Sequence, residues 1–322
     1  MRIAVLGSGT WGTALACMLV KHGNAVVLWS AIEEEIRQLR ETRFNKNLNV
    51  AIPEKIELTS DISVAVRGAD IVLFSVPSVY LRATVRKAAP YIVASQLIAD
   101  VAKGIEDVTF CTMSEIITDE LSNAGLPNSV VALSGPTHAE EVAIELPTTI
   151  IAASTDAWAA ETVREVFSNP AFRVYTSTDI KGVELCGALK NIIALAAGIS
   201  AGLGYGDNAK AAIMTMGNEE MMRLGMQLGC RRETFSGIAG IGDLIVTATS
   251  RHSRNNRCGM LIGSGVPAKI AIEEVGMVVE GVNVLPAAVA LAKKHNVNLP
   301  IIFAVYEIVF NGADPGKTLL FH

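Results

Sequence analysis

An α/β N-terminal half built on a mostly parallel sheet, followed by an all-helical C-terminal half, is the fold class this sequence predicts. Three observations carry it. Apolar strand-like runs alternate with amphipathic helical stretches from the first residue to about residue 178. A glycine triplet closes the first of those runs. After Asp179 strand-like runs vanish, and Ala, Gly, Met and Leu dominate from Val183 to Gly229, the composition of closely packed helices. With 322 residues, and roughly 150 per domain, the expected division is 1–178 and 179–322.

The elements follow in order. Arg2–Leu6 reads as a buried strand, Thr10–His22 as a helix closed by Gly23, and Ala25–Trp29 as a second strand. Glu33–Glu41 is helical, Asn45–Pro53 a loop and Ile56–Leu58 a short strand. Asp61 is placed to cap a helix that ends near Gly68. Strands are then expected at Asp70–Val76, Leu97–Val101, Val130–Leu133, Pro147–Ala153 and Phe172–Thr176, with helices at Val79–Ala89, Met113–Ala124 and Asp156–Ser168 between them. Beyond Asp179, Leu285–His295 and Ile301–Asn311 are among the helices.

Composition narrows the function. Lys and Arg number 27 against 32 Asp and Glu, a formal net charge of −5, which argues against a nucleic-acid surface. The opening MRIAVLGSGTWGTALACMLV has the outline of a signal peptide, but Gly7, Gly9 and Gly12 break its apolar run. No stretch reaches the ~18 uninterrupted apolar residues of a membrane span; the nearest, Val183–Gly204, holds Glu184, Lys190 and four glycines. Five scattered cysteines without a CxxC pair indicate neither a disulfide framework nor a zinc site, and fit a reduced, cytoplasmic setting. His138-Ala139-Glu140-Glu141 is not HExxH, so no metal site is expected. Four methionines between Met214 and Met222 read as core filler. The apolar content favours self-association as a dimer.

Gly7, Gly9 and Gly12 form GxGxxG between a strand and a helix, the context in which that motif binds dinucleotides. Gly7 allows the tight turn, Gly9 lets the backbone approach a pyrophosphate, and Gly12 permits close helix–strand packing. The helix N–H groups and dipole hold the phosphates. This makes the N-terminal half a Rossmann-type domain and NAD or NADP the expected cofactor. An acid near the end of the second strand would select NAD and a base NADP. Ser30-Ala31-Ile32-Glu33 gives neither signal cleanly, and Glu33 reads as the start of the next helix.

Further blocks are more specific: VAKG at Val101–Gly104, SGPTHAEE at Ser134–Glu141, ELCGALKN at Glu184–Asn191, GIGDL at Gly240–Leu244, SRHSRN at Ser250–Asn255 and VEG at Val279–Gly281. With the opening GSGTWGTALA, their order and spacing resemble the NAD(P)-dependent glycerol-3-phosphate dehydrogenases of bacterial type over nearly the whole chain. The resemblance implies reduction of dihydroxyacetone phosphate to sn-glycerol 3-phosphate for phospholipid synthesis, in a cleft between the two domains.

Reduction of a ketone needs a proton donor at the nascent alkoxide. Lys190, in the apolar helical run LCGALKNIIALAA, suits this, because burial draws a lysine pKa toward neutrality; the rival reading is a snorkelling surface lysine. The resemblance makes Lys190 the general acid/base and a substrate contact. Lys103 follows a strand end, where ligands of such sheets bind, and the resemblance assigns it to substrate and cofactor. Asp243 lies in a turn beside a helix start, where a cap is the ordinary role; the resemblance makes it a catalytic and substrate-site residue bonded to Lys190 or a substrate hydroxyl. Arg251, Arg254 and Arg257 cluster on one short stretch, and arginine suits phosphate recognition. By resemblance Ser253, Arg254 and Asn255 form the substrate-phosphate pocket, with Arg254 also reaching the cofactor. Gly135 and Thr137 match substrate contacts. Thr10, Trp11, Ala139, Val278 and Glu280 match cofactor contacts. Position 31, often Arg or His in the family, is Ala31 here, which leaves NAD against NADP open. The competing readings are a hydroxyacid or 6-phosphogluconate type dehydrogenase, and a non-catalytic dinucleotide sensor.

Overall fold

The structure, a computed structural model, describes residues 1–250 and 252–319; Arg251 of the arginine cluster lies outside the described residues. The chain divides into two compact units. One comprises Met1–Ala102 with Met113–Ile180, the other Lys103–Thr112 with Lys181–His322. The division differs from the contiguous 1–178 and 179–322 in two places, since residues 103–112 belong to the second unit and the first runs on to Ile180. Ile105 sits in the second unit's apolar core, which accounts for that membership.

In the first unit the strands are β1 (Arg2–Leu6), β2 (Ala25–Trp29), β3 (Phe44–Asn45), β4 (Val50–Ala51), β5 (Glu57–Thr59), β6 (Ile71–Phe74), β7 (Leu97–Asp100), β8 (Val130–Ser134), β9 (Thr148–Ala153) and β10 (Phe172–Ser177). Among the described residues, eight of them form one sheet in the order β10-β9-β8-β7-β6-β1-β2-β5. Ile3 pairs with Val26 on one side and Ile71 on the other. Ile3–Leu6 and Ile71–Phe74 are wholly buried, because helices cover both faces of a parallel sheet. That is why these strands read as unbroken apolar runs. Asp61 Oδ1 accepts from Ser63 N at 2.8 Å and caps Ile62–Val66, as its position predicts.

Three details depart from the expectation. β3 and β4 form a small antiparallel ribbon inside the stretch read as loop. Ala139–Ala143 is a five-residue helix that was not expected, packed against the Thr10–Lys21 helix. β8 and β9 pair antiparallel, with Ala132 opposite Ala153. A parallel crossover needs a connection that traverses the sheet, and is usually helical. The link from Ser134 to Thr148 holds only that short helix and returns at the end where it began.

The second unit is helical, as expected. Its axis is the helix Ile180–Gly202, in which every residue from Gly182 to Ser200 is buried. It is the one described helix long and apolar enough to cross a membrane, and here its apolar surface is covered by protein. Its glycines have a packing reason. A Cβ at Gly198 would lie 2.2 Å from Asn256 O, and one at Gly202 2.3 Å from Met260 O. Reciprocally, a Cβ at Gly259 would meet Leu195 O at 2.2 Å, and one at Gly263 Ile199 O at 2.1 Å. The backbones of Ile180–Gly202 and Arg254–Gly263 therefore touch, the small-xxx-small arrangement of close helix pairs. This contact fixes where the Arg254 helix begins. Glu220, from the helix Asp207–Gln227, accepts from Ile301 N at 2.7 Å and Ile302 N at 3.1 Å, capping the helix Pro300–Asn311 from outside it.

Candidate functional site

In the first unit, β1 delivers the chain into the glycine loop. Gly7 has φ +129°, open to glycine alone, and a Cβ there would lie 2.4 Å from Ser75 O. A Cβ at Gly12 would lie 2.0 Å from Gly7 O, so this glycine serves the fold. Gly9 is different: it is exposed, and nothing comes within 4 Å of a Cβ built on it. It occupies the N-cap of Thr10–Lys21 and supplies no side-chain cap, so the first-turn N–H groups face that open space. Thr10 and Trp11 are half-buried in the same turn. Ser75 Oγ, at the end of β6, is buried without a partner among the described residues and would lie 3.1 Å from a Cβ on Gly12. An uncapped helix start, open space at Gly9 and an orphaned hydroxyl beside it fit a dinucleotide pyrophosphate. Ala31 is exposed just past β2.

Gly135 and Thr137 follow the end of β8. A Cβ on Gly135 would press within 3.1 Å of the Ile150 Cα, so the glycine lets this turn sit against β9. Thr137 Oγ1 donates to Gly135 O at 3.2 Å, closing the turn. Ser134 Oγ is buried without a partner among the described residues. Ala139 opens the short helix that packs on Thr10–Lys21, which brings it beside the helix carrying Thr10 and Trp11.

The second unit gathers three of the expected residues. Asp243 is 1% exposed, and its two oxygens take one lysine each. Lys190 Nζ donates to Oδ1 at 2.6 Å, and Lys103 Nζ to Oδ2 at 2.8 Å. Asp243 is thus the first residue of Asp243–Thr249 rather than its side-chain cap, and Ile238–Gly242 before it forms a wide π-type turn. Thr247, one turn on, accepts from Lys190 Nζ at 2.5 Å and donates to Asp243 O at 2.7 Å. No sequence argument singled out Thr247, although its i+4 spacing from Asp243 on one helix face was a usable signal. An ammonium has three N–H donors. Two are accounted for on Lys190, leaving one for a further acceptor. Burial draws the Lys190 pKa down to about 7, against the opposing pull of Asp243; the nearby charge of Lys103 lowers it further. A buried amine poised there can give or take a proton at neutral pH.

Ser253, Arg254 and Asn255 begin the helix Arg254–Gly263. Ser253 Oγ accepts from Asn256 N at 3.2 Å, a cap bond that leaves its own O–H available. The Asn255 carboxamide is engaged at both ends: Nδ2 donates to Asn191 Oδ1 at 2.9 Å, and Oδ1 accepts from Gly281 N at 2.9 Å. A Cβ on Gly281 would lie 2.6 Å from Asn191 O, which explains the glycine of VEG. The Asn255 side chain therefore ties three helices together, and its backbone N–H, with that of Arg254, lies in the first turn, where the helix supplies no acceptor. Arg254 is half-buried. Val278 is half-buried ahead of Glu280, the first residue of Glu280–Lys294, whose carboxylate accepts from Asn283 Nδ2 at 3.4 Å. Among the described residues no three His, Cys, Asp or Glu side chains are grouped to hold a metal ion.

Known proteins resemble the chain over nearly its whole length. Residues 2–160 match the model of the NAD-dependent glycerol-3-phosphate dehydrogenase N-terminus, and residues 179–320 that of its C-terminus. A glycerol-3-phosphate dehydrogenase [NAD(P)+] of Lactobacillus delbrueckii subsp. bulgaricus is 53% identical over 99% of this chain and 95% of its own length. Its namesake in Bacillus subtilis is 48% identical over 97% of this chain and 90% of its own. The crystal structure of glycerol-3-phosphate dehydrogenase from Coxiella burnetii superposes with a TM-score of 0.94 at 36% identity, covering 99% of this chain and 97% of that one. On both halves of its sequence and across its whole fold, the chain belongs to the NAD-dependent glycerol-3-phosphate dehydrogenase family.

Proposed function

We propose that this chain reduces dihydroxyacetone phosphate to sn-glycerol 3-phosphate with NADH or NADPH, and that Lys190 is its proton donor. The carrying observation is the Lys190–Asp243–Lys103 group, with Lys190 and Asp243 buried and Lys190 drawn to about 7. The glycine loop Gly7–Gly12 would hold the pyrophosphate, with Thr10, Trp11 and Ala139 beside it. When bound, the nicotinamide supplies the hydride. The third N–H of Lys190 points its proton to the ketone oxygen and delivers it as negative charge develops there. Lys103 places a second positive charge near that oxygen and orients it. Asp243 holds both amines in place and keeps Lys190 from losing its proton too early. The first-turn N–H groups of Arg254 and Asn255, the Ser253 hydroxyl and the Arg254 guanidinium take the substrate phosphate. Gly135 and Thr137 line the substrate.

The product is a precursor for phospholipid synthesis, and we place the enzyme in the cytoplasm as a homodimer. Five free cysteines support the reducing compartment. The test is oxidation of NADH and NADPH with dihydroxyacetone phosphate, dihydroxyacetone and a 2-keto acid, and reduction of NAD+ and NADP+ with 6-phosphogluconate, in parallel. Turnover confined to dihydroxyacetone phosphate is expected. Turnover of a 2-keto acid or 6-phosphogluconate instead would transfer the chain to a different dehydrogenase class, and binding without turnover would make it a sensor.

A further inference from the structure

Just past β2, the sequence offers neither acid nor base at the position that separates NAD from NADP. The fold supplies one from elsewhere. Glu35, in the first turn of the helix Glu33–Thr42, reaches back to the strand end. Its Oε2 accepts from Ser8 Oγ at 2.8 Å and from Ser30 Oγ at 2.5 Å. Ser8 lies between Gly7 and Gly9 of the dinucleotide loop, and Ser30 is the first residue after β2; both are buried. Ser30 Oγ also accepts from Ile32 N at 3.2 Å, which fixes the turn. One carboxylate oxygen is therefore pinned between the phosphate loop and the second strand. The other, Oε1, has no partner among the described residues on a half-buried side chain.

Four of the neighbouring cations have partners of their own, while Lys46, beside the Asn45 that bonds Ser8 O, is exposed. Arg37 pairs with Glu34 and Glu41. Arg40 donates twice to Leu58 O, at 3.1 and 2.6 Å. Arg43 donates to Ile56 O and pairs with Glu54. Lys87 sits over the Trp29 ring, 5.5 Å from its centre, and Trp29 alternates to the face opposite Ser30. Residue 31, where a cation would meet a 2′-phosphate, is Ala31.

We propose that Glu35 is the specificity-determining residue of the dinucleotide site, its free oxygen accepting the adenosine 2′-hydroxyl and its charge excluding a 2′-phosphate, so that this chain selects NAD over NADP. The inference rests on the dinucleotide reading of the glycine loop, and only the source of the acid is new: it comes from the third residue of the following helix, held in place by two serines. A hydroxyl matched to a fixed acceptor gains a charge-assisted bond, whereas a phosphate dianion meets a fixed negative charge, with Ala31 where a cation would offset it.

The test is direct binding, without turnover. Dissociation constants for NADH, NADPH, 5′-AMP and 2′,5′-ADP are measured by calorimetry on the wild type, Glu35→Gln and Ser30→Ala. The wild type is expected to bind NADH over NADPH, and 5′-AMP over 2′,5′-ADP, by roughly tenfold or more. Glu35→Gln keeps the serine bonds' geometry but removes the charge, and is expected to shrink both ratios by about that factor; Ser30→Ala, which loosens the carboxylate, is expected to shrink them less. Equal wild-type affinities, or ratios unmoved in Glu35→Gln, overturn the proposal while leaving the dehydrogenase reading intact. Binding of none of the four by the wild type overturns the dinucleotide reading itself.

Discussion

The two units prepare for a ligand in opposite ways. In the first, the preparation is made of backbone: Gly9 leaves space, Gly7 and Gly12 let chain segments touch, and the uncapped start of Thr10–Lys21 offers N–H groups. In the second, it is made of side chains: Lys190 and Asp243, both removed from water, and the half-buried Lys103 on the other carboxylate oxygen. The first device tolerates any side chain that stays out of the way. The second depends on the charge state of three named groups. Binding is thus expected to fail by obstruction in one unit, and chemistry by electrostatics in the other.

The largest effect tests the electrostatic half. Lys190→Ala is expected to lower kcat by ~10²–10⁴-fold while NADH still binds; a wild-type kcat would end the assignment. For the wild type, the reduction rate should fall as pH rises through about 7, because the donor must carry its proton and its pKa is drawn to that value. A flat pH profile across that range would break the link between burial and catalysis.

Next in size is Asp243→Ala. Removing one partner from a buried ion pair costs on the order of 3 kcal/mol, and here two amines lose their counter-charge. Asp243 also opposes the burial that lowers Lys190. Without it, the limb of the pH profile near 7 should move to lower pH. Thermal unfolding and a pH–rate series on the same variant separate the two consequences.

The glycine loop is expected to respond less, and unevenly. Gly12→Ala forces a Cβ to within 2.0 Å of the Gly7 carbonyl, so overpacking should destabilise the first unit by about 1–3 kcal/mol. Gly9→Ala meets nothing within 4 Å, at φ −61° and ψ 178°. It should leave the melting temperature near wild type and raise the NADH dissociation constant by roughly tenfold. Equal losses of stability in the two variants would show that Gly9 is not reserved for a ligand.

The same contrast governs what the sequence disclosed. Backbone devices leave a local signature: GxGxxG between strand and helix, apolar runs at strand spacing, Asp61 ahead of its helix. The strand positions of the sheet could be read that way to within a residue or two. The antiparallel pairing of β8 and β9 could not, because strand direction depends on where a connection returns, which no local pattern encodes. Nor could the transfer of Lys103–Thr112 to the second unit, since it rests on Ile105 joining a core 80 residues away in sequence and beyond. Lys190 and Asp243 are 53 residues apart, and only resemblance joined them before the fold did. Thr247 and Glu35 escaped notice for a different reason: each acts through a contact made by a residue type that ordinarily decorates a helix surface.

The smallest prediction asks whether burial alone makes a carboxylate functional. Glu220 is as buried as Asp243, at 1% exposure, yet it faces two backbone N–H groups instead of two amines. Burial raises its pKa to about 7, while the bonds from Ile301 and Ile302 and the charge of Arg223 pull the other way. In the unfolded chain a glutamate titrates near 4.3. Between those values the folded state holds the extra proton, so this group's contribution to stability is present below the unfolded pKa and declines as pH rises toward 7. Glu220→Gln cannot titrate. Its unfolding temperature should lack that part of the decline, a difference on the order of 1–2 kcal/mol or a few degrees across the window. Because Glu220 touches neither lysine nor the glycine loop, the pH profile of kcat should keep its limb near 7 in this variant. A limb that moved with Glu220→Gln would mean that the activity reports a structural carboxylate, and the assignment of that limb to Lys190 would fall.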